Sequence, residues 1–79
     1  MRRKMTTNEL TILKLLNRKH TVTYADIEPL MEKDSHDIYW TTFSRICSLI
    51  QAGIMTSEDV HPAKYTITAY GRSKALEVL

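Results

Sequence analysis

A chain of 79 residues with 43% hydrophobic and 25% charged side chains has the size and composition of one folded domain, and it carries no repeat, linker or low-complexity stretch. At this length only about 60–65% of the unfolded surface can be buried, so the core is small and a second copy would add to it. The net charge of +2 is unevenly spread: Arg2, Arg3, Lys4, Lys14, Arg18 and Lys19 against Glu9 make residues 1–20 +5, whereas Asp26, Glu28, Glu32, Asp34 and Asp37 against Lys33 make residues 21–37 −4.

The opening "MRRKMTTNEL" is basic like the start of a signal peptide, but polar residues follow it. No stretch approaches the roughly 20 apolar residues of a membrane span, and the expectation is a soluble cytoplasmic protein. Residues 1–5 read as a flexible basic arm on a single domain spanning 1–79. Arg2, Arg3 and Lys4 in it either follow phosphates and enter a minor groove or form a solvated tail.

In "TTNELTILKLLNRKH", Thr6 with Glu9 three residues on is a capping box, and Leu10, Ile12, Leu13 and Leu16 share one arc of a helix over about residues 7 to 19. Leu15 falls outside that arc, as either an exposed leucine or a contact with another subunit. An extended piece around Val22 follows. Then Thr23 caps a short acidic helix with Asp26 in its first turn, Ile27, Leu30 and Met31 on one side, and Pro29 bending it.

For "SHDIYWTTFSRICSLIQAGIM", residues placed at 100° intervals put Tyr39, Thr42, Phe43, Ile46, Leu49, Ile50 and Gly53 on a core arc of about 120°. Asp37, Trp40, Thr41, Ser44, Ser48 and Gln51 take the opposite face, with Arg45 at its flank. Cys47 reads as a small packing residue, alone and unable to form an internal disulfide. Gly53 ends the helix as a left-handed cap. Two strands, predicted at 54–56 and 64–68, then enclose a polar turn with Glu58, Asp59 and Pro62, and Lys64 opens the second. From Thr68 the two-residue period gives way to a helix in which Ala75, Leu76, Val78 and Leu79 spread over an arc of about 160°.

The predicted order is helix, short strand, helix, helix, hairpin, helix, and a polar-faced third helix after a tight junction is helix-turn-helix geometry. "ICSLIQAGIM" follows a Leu-x-x-Leu-x-x-x-Gly-hydrophobic pattern through Ile46, Leu49, Gly53 and Ile54. Tyr65, Ile67, Thr68 and Gly71 fit a Tyr-x-Leu-Thr-x-x-Gly pattern, with Leu76 behind it. On these residues the chain resembles the winged helix-turn-helix domain, and is similar to small PadR-like and related bacterial, archaeal or mobile-element transcriptional regulators. The resemblance implies an α+β fold with a three-helix core, a two-stranded wing and a C-terminal helix. It further implies that Thr68 caps the last helix, that Gly71 permits close packing and that this helix pairs two subunits.

The expected function is a homodimeric regulator, a repressor, that binds double-stranded DNA. Arg2, Arg3, Lys4, Trp40, Thr41, Ser44, Arg45, Ser48 and Lys64 are its DNA contacts, and Leu15, Ala75, Leu76, Val78 and Leu79 its dimer contacts. Trp40 either touches a groove or covers the junction of the second and third helices. The alternative is a winged-helix protein-interaction module without DNA binding, which the acidic second helix and the acidic wing tip favour. No enzyme, metal or cofactor is expected. Ser35, His36 and Asp37 are adjacent on the chain and so point apart on a helix, and His20, His36 and His61 lack metal-site spacing.

Overall fold

The computed structural model describes residues 4–34, 36–58, 60 and 62–79. Helix α1, Thr7–Lys19, begins at the capping box: Thr6 Oγ1 accepts the Glu9 N–H at 3.2 Å, and a Glu9 carboxylate oxygen accepts the Thr6 N–H at 2.9 Å. It ends at His20, whose N–H donates to the Leu16 carbonyl at 2.7 Å from a left-handed φ of 70°. The chain passes directly into strand β1, Thr21–Thr23, and then α2, Tyr24–Ile27.

Pro29 does not bend a continuing helix. It sits in a 3-10 turn, Glu28–Leu30, that follows α2, where its missing N–H interrupts no α-helical ladder. Leu30, expected inward, is exposed, while Ile27 and Met31 are buried.

Helix α3, Ile38–Gln51, is capped by Asp37, whose carboxylate accepts the Trp40 N–H at 2.7 Å. Its end is a Schellman motif: the Ile54 N–H reaches the Leu49 carbonyl and the Gly53 N–H reaches that of Ile50, both at 3.0 Å, with Gly53 at φ 79°. Strand β2, Met55–Glu58, starts one residue later than predicted and runs two further, while β3, Lys64–Ile67, leaves Thr68 free to cap α4, Ala69–Val78.

The two later strands form an antiparallel hairpin, and β1 pairs with the outer side of β3, giving a three-stranded antiparallel sheet in the order β1-β3-β2. Register places Val22 opposite Tyr65 and Met55 opposite Ile67, so these four side chains share one face; Val22, Met55 and Ile67 are buried. Thr21, Thr66 and Thr56 line the other face. The architecture is a compact α+β domain of four helices, the 3-10 turn and this sheet.

Helix α1 is contacted by α3, α4, β1 and β3, which widens its covered arc beyond one stripe. Leu15 therefore joins Ile12, Leu13 and Leu16 in the core at 5% exposure, and the expectation that it faces outward is corrected. Each such side chain contributes about 1.5–3 kcal/mol by burial.

The face of α3 is also corrected. Thr41, Thr42, Ile46 and Leu49 are its buried residues, a stripe rotated by about 60° from the expected one at 100° per residue. Both threonines turn their hydroxyls onto the preceding helical turn, Thr41 to the Asp37 carbonyl at 2.9 Å and Thr42 to that of Ile38 at 2.8 Å. With the polar atom satisfied, each presents a methyl to the core. Tyr39, Phe43 and Ile50 are consequently left exposed.

Candidate functional site

The outward side of α3 divides into two flanks. One carries Ser44 and Ser48, half-buried, and Gln51, exposed. The Ser44 hydroxyl donates to the Trp40 carbonyl at 2.6 Å, so toward a ligand it offers lone pairs. The other flank carries Tyr39, Phe43 and Ile50, with Cys47 half-buried beside them. Trp40, 45% exposed, stands at the N-terminal end between the two. Its ring lies 6.0 Å from both Tyr39 and Phe43, edge-on to each.

Arg45 is held in place. Its Nε donates to Asp34 Oδ2 at 3.0 Å, and the same oxygen accepts from Asn8 Nδ2, also at 3.0 Å. Asn8, buried at the start of α1, further donates to the Glu32 carbonyl at 2.6 Å and accepts the Glu32 N–H at 2.9 Å. The Asp34 N–H donates to Thr41 Oγ1 at 3.1 Å. Burial works to raise the Asp34 pKa, but the hydrogen bonds from Asn8 and Arg45 outweigh it and hold the carboxyl below the usual range. This network fixes the segment between the 3-10 turn and α3 against both helices. Sequence reading missed it, although an asparagine four residues before Ile12 on the buried side of α1 was its signal.

Of the expected DNA contacts, Trp40, Ser44, Ser48 and Arg45 are thus brought together on one helix. Thr41 is corrected: it is fully buried, its hydroxyl bonded within the fold, and it offers nothing to a groove. Lys64 is exposed on β3 but lies opposite Glu58 in register, which offsets its charge. Lys4 is exposed; Arg2 and Arg3 lie outside the described residues, as do Ser35, Asp59 and His61. Met5, assigned to the flexible arm, is instead partly buried against the core.

Of the expected dimer contacts, Leu76 is 87% exposed, and Val78 and Leu79 are exposed beside it. Ala75 is corrected with Leu15: at 2% exposure it is, with Gly71, a residue through which α4 packs on its own core, leaving the outer side to Leu76. A cleft of about 460 Å³ lies elsewhere, between the start of α1, the end of α3 and α4, and includes Glu9, Leu49 and Lys74 in its walls.

Among the described residues no group of three or more His, Cys, Asp or Glu is placed to hold a metal ion, and no helix is long and apolar enough to cross a membrane. The sequence matches no protein-family model, and no curated protein matches it either.

Proposed function

We propose that this chain is a winged helix-turn-helix domain of the PadR-like kind that binds double-stranded DNA as a homodimer and represses transcription. The observation that carries the reading is the polar flank of α3: Ser44, Ser48 and Gln51 stand outward on a helix whose opposite side is anchored by Thr41, Thr42, Ile46 and Leu49. A rigid helix with one free polar side fits a major groove, where hydroxyls and amides meet base edges. In this reading the β2–β3 hairpin is the wing, and the sheet order β1-β3-β2, with β1 on the β3 edge of the hairpin, supports it. The basic arm, Arg2, Arg3 and Lys4, and Lys64 supply phosphate contacts, and the exposed Leu76, Val78 and Leu79 of α4 pair two subunits.

One observation favours the alternative, a protein-interaction module: the single arginine of α3 is already tied to Asp34, and beside the polar flank the helix exposes Tyr39, Trp40 and Phe43.

Fluorescence anisotropy with a random duplex at two salt concentrations decides between them. A dimer that neutralises about six to eight phosphates gives a slope of log K against log salt of roughly −5 to −7. A flat response, or no binding in about 50 mM salt, removes the regulator and leaves the module.

A further inference from the structure

The aromatic flank of α3 has no role in that reading. Tyr39 and Phe43 are 53% and 42% exposed and stack on each other at 5.8 Å between centroids, 17° from parallel. Trp40 meets both edge-on, and Tyr24 of α2 lies 6.1 Å from Tyr39. The four rings form a continuous ledge across two elements, and buried packing does not explain three rings left open to water.

Both ends of the ledge carry a carboxylate. At one end Glu28 accepts the Tyr24 hydroxyl proton at 2.5 Å. At the other, Asp37 accepts the backbone N–H of Trp40 with one oxygen and sets the second 3.5 Å from the ring nitrogen of His36, a ring itself 6.2 Å from that of Trp40. Arg45, the cation of this helix, points to Asp34. Aromatic faces bordered by negative charge attract a delocalised cation: guanidinium lies flat on an indole or phenol ring while its N–H groups bond the carboxylate.

We infer that this ledge is a docking surface for an arginine-bearing segment of a partner protein, held by cation–π contact with Trp40 and Tyr39 and by ion pairing with Glu28 and Asp37. The complementarity runs against nucleic acid at this spot, because both border groups repel phosphates. A helix about 10–12 Å across fills a major groove about 12 Å wide, so the partner and a duplex exclude each other on α3.

Trp40 is the only tryptophan in the chain, so its emission reports the ledge directly. The probe is an arginine nonapeptide at low salt, with a glutamate nonapeptide as control. The expected result is a saturable blue shift with the first and none with the second. Glu28→Gln combined with Asp37→Asn keeps the shapes, and Asn still caps a helix, yet should weaken binding about three- to tenfold. Tyr39→Ser, at an exposed position, should weaken it further while the melting curve stays close to that of the parent. The inference is overturned by an absent shift, by equal affinity in the double variant, or by a Trp40 response to duplex DNA and not to the peptide. A flat DNA salt response together with a saturable peptide shift would remove the regulator and leave the ledge standing.

Discussion

Thr68 binds the end of α3 to the start of α4: its hydroxyl oxygen lies 2.5 Å from the Gly53 carbonyl oxygen and 3.0 Å from that of Ile54, and accepts the Gly71 N–H at 2.9 Å. One side chain thus serves the left-handed cap of one helix and the N-cap of the next. Thr68→Val keeps the shape and removes the hydroxyl, and should cost about 1–2 kcal/mol in denaturant unfolding.

Gly71 lets α4 lie close against the backbone that joins α3 to β2 and against β3. A Cβ built there would stand 2.2 Å from the Ile54 carbonyl oxygen and 2.8 Å from an Ile67 side-chain carbon. Intrinsic helix propensity favours alanine by about 1 kcal/mol, so the two effects oppose each other. Backbone cannot yield as a flexible side chain does, and the clash wins. Gly71→Ala should destabilise by about 2 kcal/mol or more, lowering the melting temperature by roughly 8–16 °C.

His20 holds φ 70° and ψ −38° while its carbonyl accepts the Ile67 N–H at 3.0 Å, joining the end of α1 to the sheet. A β-carbon makes that conformation costly. The exposed imidazole has little burial to offset the cost. His20→Gly should therefore raise stability by about 1 kcal/mol in thermal melting, relief of strain exceeding the added flexibility of the unfolded chain.

Burial and the hydrogen bond to Glu28 push the Tyr24 phenol from 10.0 up to about 12. The folded state then holds the proton more tightly than the unfolded one. Its contribution is complete below pH 10.0 and is lost as the pH rises through about 12. Denaturation midpoints measured across that window should fall for the parent and fall less for Tyr24→Phe.

Asp34→Asn tests the arginine clamp in two ways. Its carboxyl is held below 3.8, so the stability it confers is present above that pH and disappears as the pH falls through the folded value; parent and variant should converge in acid. Under the regulator reading, the released Arg45 adds a phosphate contact, and the salt slope should steepen by roughly 1 per subunit.

Leu76→Asp addresses self-association. The side chain is 87% exposed in the single chain, so unfolding stability should stay within about ±0.5 kcal/mol. Sedimentation should show the parent as a dimer and the variant shifted toward the 9.2 kDa monomer. A parent that sediments as a monomer at tens of micromolar would remove the homodimer.

Local chemistry was legible in the sequence wherever a residue acts on its own neighbours. Thr6 with Glu9, Gly53 and Thr68 set helix ends through contacts within a few residues, so α1 is bounded as read and α4 is capped as read. The change from alternating to helical period around Thr68 placed the hairpin and last helix for the same reason. Which side of a helix faces inward is another matter, because it depends on what the fold sets around it. Leu15 and Ala75 were buried by elements distant in the chain, and with their hydroxyls bonded to backbone Thr42 enters the core as read while Thr41 joins it from the face read as polar, and Tyr39 and Phe43 are turned out. The Asn8–Asp34–Arg45 cluster joins residues 26 and 11 positions apart, and the ledge joins Tyr24 to α3. Helical periodicity gives only relative angles; the absolute orientation came from tertiary packing, which minimises unsatisfied polar groups and empty space over the whole domain at once.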